Sequence, residues 1–227
     1  MIGDPVMLTI RRNIERPSKA LLKSFDGMPT GFVTDAYNGK GCLDYAIKPL
    51  LPTMGFSGSA ITAFCGPMDN LAAMAILDFA QKGDVIVIAT TGDDTAATIG
   101  DLWAFWAKKL GVAAIVCDGL VRDVNGLLKV DIPVYARGIK PNSAFKNGPG
   151  EINTTVTCGG VAISAGDIIV GDRDGVVAIP LAQAPGVVER LELVKKKEAE
   201  AEAKVNKGIK LKFWDPDALG SRVQYLD

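Results

Sequence analysis

The chain has 227 residues, 25 of them Lys or Arg, 26 Asp or Glu and none His, so no imidazole is available as a general base, a nucleophile partner or a zinc ligand. Acid-base and metal chemistry must run through carboxylates, water, Arg, Lys, Tyr or Cys, an inventory that favours a hard, oxygen-bound cation such as magnesium or manganese. A net charge of -1 and a pI near 5.6 give no basic footprint for nucleic acid, and the longest apolar runs fall far short of the ~20 residues of a membrane span.

The N-terminal stretch carries Asp4, Arg11, Arg12 and Glu15 and lacks the apolar core of a secretion signal. Cys42, Cys65, Cys117 and Cys158 are widely spaced with no CxxC, and Cys65 and Cys117 sit in apolar runs, which points to a cytoplasmic protein with reduced, mostly packed thiols. Residues 15–25 have helical spacing, with Leu21, Leu22 and Phe25 on one side, and a second short helix is expected from Thr34. A Gly- and Pro-rich stretch leads into Ser59–Phe64, which suits a strand. Asn70 is expected to cap a helix running to Lys82 and ending at Gly83.

The next three elements are Val85–Ala89, a buried strand by its β-branched run, Leu102–Leu110, a helix ended by Gly111, and Ala113–Cys117, a second buried strand. Together they form a βαβ unit, and Pro133–Arg137 continues the parallel pattern. From Thr154 the strands become short and Gly-punctuated: 154–157, 161–163, 167–171 and 175–179. They are expected to be antiparallel and to pack against the first sheet. A helix from about Ala184 is apolar at Val187, Val188, Leu191 and Val194, then almost purely Lys, Glu and Ala from Lys195 to Lys204. The fold class expected is α/β: a layered βα fold with a parallel βαβ core and a C-terminal antiparallel strand region, swivelling β/β/α-like, followed by a C-terminal helix. Residues 1–180 are expected to form one catalytic domain. Residues 181–227 then form a helical arm and tail that packs on a neighbouring subunit.

A βαβ crossover brings the start of its helix and the carboxyl ends of its strands to one edge of the sheet, where open α/β sheets bind ligands. Gly100-Asp101-Leu102-Trp103 stands at that helix start, and Asp118-Gly119-Leu120-Val121-Arg122-Asp123 leaves the next strand at the same edge. The free N–H groups of Leu102 and Trp103 could hold a small carboxylate or phosphate, with Arg122 facing the same anion. Asp101 alone reads as an N-cap, and Arg122-Asp123 alone as a surface ion pair; their joint placement supports a site. Magnesium commonly takes one or two carboxylates and completes its octahedron with water and substrate oxygens, so Asp123 suits a chelating ligand.

Asp101, twenty intervening residues and then Arg122-Asp123, with Gly100 and Asp118-Gly119 ahead of them, resembles the class II pyruvate aldolases. These are the 4-hydroxy-4-methyl-2-oxoglutarate and 4-carboxy-4-hydroxy-2-oxoadipate aldolases, which share a superfamily with the regulator of ribonuclease activity A. The resemblance extends through Val33-Thr34-Asp35-Ala36, Asp69-Asn70, Gly83-Asp84-Val85, Pro133 to Gly138, and Gly166-Asp167 through Gly171-Asp172-Arg173-Asp174-Gly175-Val176 to Pro180.

The resemblance implies a metal, magnesium or manganese, held by Asp123 and ordered waters. It implies a pyruvate moiety chelating that metal and receiving hydrogen bonds from Arg122, and Asp101 orienting a water on the metal. Gly100, Asp101, Leu102 and Trp103 then bind the pyruvyl carboxylate, largely through the Leu102 and Trp103 amides. A glutamate from the C-terminal helix of a neighbouring subunit assists in that family; Glu198 is the match, with Glu200 and Glu202 close by and a solvated Glu/Lys helix as the other reading. A homotrimer or homohexamer follows from the same resemblance. The reaction implied is retro-aldol cleavage of a small 4-hydroxy-2-oxo acid to pyruvate, with oxaloacetate decarboxylation passing through the same enolate.

Trp103 and Trp106 are either core residues, Trp106 more so, or narrow the acceptor side of the site. Weighed against the lyase is a non-catalytic regulator that binds an RNA-processing enzyme; Asp123 and the long C-terminal segment favour the lyase. A menaquinone-related methyltransferase is discounted, because no strand is followed by a Gly-rich nucleotide loop.

Overall fold

The structure is a computed structural model that describes residues 4–50 and 55–226. Residues 51–54, within the Gly- and Pro-rich stretch expected before the first long strand, lie outside the described residues. In chain order β1 (Leu8–Ile10), α1 (Lys19–Lys23), α2 (Thr30–Ala36) and β2 (Lys48–Pro49) precede the long β3 (Phe56–Cys65) and α3 (Leu71–Ala75). The middle of the chain carries β4 (Asp84–Ala89), β5 (Ala97–Ile99), α4 (Asp101–Lys109), β6 (Ala114–Cys117), β7 (Leu120–Val121), α5 (Val124–Val130), β8 (Val134–Ala136) and β9 (Gly138–Ile139). Then follow β10 (Gly150–Ile152), β11 (Val156–Cys158), β12 (Val161–Ile163), β13 (Ile168–Gly171), β14 (Val176–Ile179), α6 (Ala184–Asn206) and α7 (Pro216–Leu219).

The expected α/β architecture is what the chain adopts. β3, β4, β6 and β8 are parallel neighbours, with Ile86 beside Ile61 on one side and Ile115 on the other. Their runs of Val, Ile and Ala are buried on both faces, as a parallel sheet covered by other elements requires. One face packs against α3, α4 and α5 through Ala73, Trp103, Ala107 and Leu127. The other face is covered by the β11–β12 hairpin through Val156, Cys158 and Ile163.

The C-terminal strands are antiparallel as expected, but β13 does more than pack against the first sheet. It hydrogen-bonds the opening half of β3, Gly171 beside Phe56 and Ile168 beside Ser59, while β10 pairs the closing half of the same strand edge. The ten residues of β3 therefore join the parallel and antiparallel regions into one sheet. α6 buries Ala184, Val187 and Leu191 against Phe25, Val33 and Ile179, and beyond Lys195 it is almost entirely exposed.

Several local expectations are corrected. The first helix begins at Lys19, because Pro17 precedes its Ser18 cap and Arg16 is tied elsewhere, to the buried Asp84 carboxylate at 3.1 and 2.9 Å. α2 begins at Thr30, four residues early, because the Asp172 carboxylate accepts from the Thr30 N–H at 2.8 Å and hydroxyl at 2.7 Å. The helix after Asn70 ends at Ala75 and tightens into a 3₁₀ turn over Ile76–Phe79, so Gly83 adopts its left-handed φ of 89° outside any helix. Asn70 makes no side-chain cap; its Nδ2 donates to the Thr98 carbonyl at 2.8 Å.

Candidate active site

β4 does not feed α4 directly. A loop intervenes, and the three-residue β5 then pairs in parallel with β7, which pairs with β9, forming a separate small parallel sheet. Gly100-Asp101 leaves the end of β5 and Arg122-Asp123 leaves the end of β7. The Arg122 N–H donates to the Ile99 carbonyl at 3.0 Å and so locks the two strand ends side by side. Both motifs do leave the carboxyl ends of parallel strands, the edge at which open parallel sheets bind ligands. The strands that build it are β5 and β7 rather than β4 and β6. Asp118, at the end of β6, is a structural tie: buried, it accepts the Thr90 N–H at 2.6 Å, the Thr90 hydroxyl at 3.0 Å and the Gly159 N–H at 3.3 Å.

At this edge lies a cleft of about 440 Å³, lined among others by Asn70, Gly100, Asp101, Leu102, Trp103, Trp106, Arg122, Asp123, Ser143 and Lys146. Five of the residues expected from the sequence, Gly100 to Trp103 and Arg122, thus share one cavity with Asp123. Gly100, not Asp101, is the N-cap of α4; Asp101 is the first helical residue and its Oδ1 accepts the Leu102 N–H at 2.7 Å. The Arg122 Nε stands 3.2 Å from Asp123 Oδ2, and its Nη1 donates to the Ser143 hydroxyl at 2.5 Å.

Glycines let each of these carboxylates lie against a neighbouring backbone. A Cβ on Gly100 would collide with Asp123 Oδ2, and one on Gly126 in α5 would collide with the Asp101 carboxylate. Asp123 itself is left-handed, at φ 58° and ψ 42°, and is the N-cap of α5 with no side-chain capping bond. For a residue other than glycine that conformation costs roughly 1–2 kcal/mol, a kind of strain that clusters at functional positions. Its carbonyl accepts the Gly126 and Leu127 N–H groups at 2.8 and 2.9 Å, leaving the carboxylate to the cleft.

The two tryptophans exchange roles relative to the expectation. Trp103 is the core residue, 9% exposed, with its indole N–H donating to the Ala73 carbonyl at 2.8 Å, whereas Trp106 is 57% exposed and lines the cleft. Glu198 lies on the exposed half of α6 and does not line its own chain's cleft. Residues the sequence reading missed include Asn70, Ser143 and Lys146. Asn70 is 9% exposed, and its Oδ1 is buried without a hydrogen-bond partner among the described residues.

All four cysteines are free thiols. Burial pushes the Cys65 and Cys117 thiols up to about 12 and Cys158 well above its usual value, so none of these three is a thiolate nucleophile at neutral pH. Among the described residues no group of three or more His, Cys, Asp or Glu is placed to hold one ion. What the cleft offers instead is the Asp123 carboxylate with Asp101 nearby. That oxygen-only, ligand-poor set fits magnesium or manganese completed by water and substrate, and does not fit zinc. No helix among the described residues is long and apolar enough to cross a membrane.

A family model described as RraA-like, Aldolase/RraA, matches residues 30–178. A protein of Halalkalibacterium halodurans named "Putative 4-hydroxy-4-methyl-2-oxoglutarate aldolase" is 40% identical over 183 residues, 81% of this chain and 86% of that protein. One of the same name from Ectopseudomonas mendocina is 32% identical over 60% of this chain and 86% of its own length. Among solved structures, Streptomyces coelicolor RraAS2, described as an unusual member of the RNase ES inhibitor RraA protein family, superposes with a TM-score of 0.76 at 25% identity. That match covers 83% of this chain and all of that one.

Proposed function

The chain belongs to the RraA-like family of aldolases and RraA proteins, and from that premise we propose that it is a divalent-metal-dependent carbon-carbon lyase. It cleaves 4-hydroxy-2-oxo acids by a retro-aldol reaction, releases pyruvate, and decarboxylates oxaloacetate through the same enolate. The observation that carries this reading is the convergence of the α4 start, Arg122 and Asp123 on one cleft.

Leu102 and Trp103, in the first turn of α4 at the positive end of its dipole, line the cleft, and their N–H groups would bind the pyruvyl carboxylate. Binding there displaces the Asp101 Oδ1 contact from the Leu102 N–H and frees that carboxylate to orient water. As the C3–C4 bond breaks, its electron pair becomes the C2–C3 double bond of the enolate and the C2 carbonyl π pair moves to the keto oxygen. The 4-hydroxyl oxygen becomes the carbonyl of the departing fragment. A fixed guanidinium at Arg122 gains interaction with the keto oxygen as charge develops on it. The 4-hydroxyl proton passes to water, since no side chain of near-neutral intrinsic pKa lines the cleft, and the resulting enolate takes a proton at C3 to become pyruvate. A magnesium or manganese ion held by Asp123 would supply Lewis acidity toward the keto and carboxylate oxygens.

Residues 1–180 would form the catalytic unit and 181–227 an arm for assembly as a homotrimer or homohexamer. Supporting this, Leu193, Val205, Ile209, Phe213 and Trp214 are all more than half exposed along that arm, an apolar load that another subunit would cover. In such an assembly Glu198 would reach an adjacent cleft. The other reading, a non-catalytic regulator of an RNA-processing enzyme, draws support from the similarity to RraAS2. An assay for pyruvate release from 4-hydroxy-2-oxo acids and oxaloacetate, with metal and with chelator, separates the two.

A further inference from the structure

The cleft contains a second cation that the reaction as described leaves unused. Lys146 lines it, is exposed, and forms no ion pair or hydrogen bond among the described residues. Arg122, by contrast, is engaged by Asp123 and Ser143.

The loop that carries Lys146 is pinned from beneath by one carboxylate. Asp69 is 7% exposed and donates nothing. Its Oδ2 accepts the Asn147 N–H at 2.5 Å and the Gly148 N–H at 3.0 Å, while Oδ1 accepts the Leu71 N–H at 2.8 Å. Backbone bonds flank this clamp, Phe145 N–H to the Met68 carbonyl at 2.7 Å and Asn70 N–H to the Phe145 carbonyl at 2.8 Å. A buried carboxylate satisfied by backbone N–H groups forms the stronger, charge-assisted class of hydrogen bond, and here two of the three hold the residues immediately after Lys146. The negative charge of Asp69 is thus spent on loop geometry, and the Lys146 ammonium stays available to a ligand.

We propose that Lys146 recognises a distal carboxylate of the bound 2-oxo acid and that Asp69 is the positioning residue that presents it. The inference rests on the reading that the cleft holds a 2-oxo acid. With the pyruvyl carboxylate at the α4 start, the far end of the ligand extends along a cleft in which Lys146 is a cation without an ion-pair partner among the described residues. A lysine serves as a point charge that tolerates several chain lengths, unlike the fixed fork of an arginine. The site would therefore rank ligands by whether their far end is anionic, and less by its exact length.

Calorimetry on the full chain with magnesium tests this without turnover, using 2-oxoglutarate, which lacks the 4-hydroxyl needed for cleavage, against 2-oxopentanoate, the same chain without the second carboxylate. The wild type should bind 2-oxoglutarate about tenfold or more tightly than 2-oxopentanoate, on the scale of one charged hydrogen bond. Lys146→Ala should remove that preference while leaving 2-oxopentanoate affinity within about twofold, and Lys146→Arg should keep part of it. Asp69→Asn should lose the preference selectively, and adding Lys146→Ala to it should cost nothing further. Equal or undetectable binding of the two acids by the wild type, an unchanged preference in Lys146→Ala, or an equal loss for both acids overturns the assignment. Should Asp69→Asn fail to fold, the two Lys146 variants still decide the recognition claim. A diacid preference without pyruvate release from any 4-hydroxy-2-oxo acid would refute the lyase reading alone.

Discussion

Arg122 Nε stands 3.2 Å from Asp123 Oδ2, yet the two side chains belong to a single turn between β7 and α5 and open into the same cleft as the start of α4. An exposed pair of this kind contributes little to stability, and both side chains are roughly two-fifths exposed. Asp123 and Ser143 do hold the guanidinium in place, and on the proposed lyase reading that fixed charge would stabilise a keto oxygen as it becomes anionic.

Arg122→Lys should therefore lower kcat for pyruvate release by about 100-fold or more, the scale of losing one oxyanion donor, with unchanged far-UV circular dichroism. A rise in KM alone would assign Arg122 to substrate binding only.

Gly100 provides a steric probe that removes no functional group. Its backbone is extended, at φ -135°, so alanine is conformationally permitted, but the added Cβ would strike Asp123 Oδ2 and lie 3.3 Å from Arg122 Cγ. Gly100→Ala should weaken metal activation and cut kcat/KM by about tenfold or more, within the ~100-fold that a misplacement of about 1 Å can cost. Wild-type kinetics in this variant would show that Asp123 need not occupy its observed position.

The exposed arm bears on assembly. Truncation before Lys195 should convert a trimer or hexamer into smaller species by light scattering and cost activity in step. A fully active monomer, truncated or whole, would remove both the shared cleft and the role given to Glu198.

The reach of sequence reasoning follows the range of the interactions involved. β4, α4 and β6 are legible because their signals are local, a β-branched run or a glycine past a helix end, and Asp101, Arg122 and Asp123 are legible through their spacing. β5, β7 and β9 are two or three residues long, too short for any periodicity, so the sheet that actually carries the site leaves no pattern. The early start of α2 depends on Asp172, 142 residues away. Trp103 and Trp106 differ in burial because the α4 face that meets α3 is decided by tertiary packing. Asn70 resembles a helix cap, and only the structure turns its side chain to Thr98.

The Asp172 cap gives a pH dependence. Burial acts to raise its pKa, but the Thr30 N–H and hydroxyl together with the Asp174 and Gly175 N–H groups outweigh it and hold the carboxyl below its ordinary 3.8. The unfolded chain therefore takes up this proton at higher pH than the folded one. The stabilisation is complete above 3.8 and is lost as pH falls through the folded value. Asp172→Asn should lower Tm at pH 7 by about 2–4 °C, the response to roughly 1 kcal/mol in a chain of this size, and the gap to wild type should close below pH 3.8. A gap that persists unchanged in acid would mean the charge is not what caps α2.

The central claim, that Asp123 anchors a divalent metal for enolate chemistry, is tested most directly by coupled detection of pyruvate from 4-hydroxy-2-oxo acids. Wild type and Asp123→Asn would be compared with magnesium or manganese and again with chelator. The wild type should release pyruvate only with metal, and Asp123→Asn should release essentially none under either condition while retaining its fold. Pyruvate release that survives the chelator, or turnover undiminished in Asp123→Asn, would contradict it.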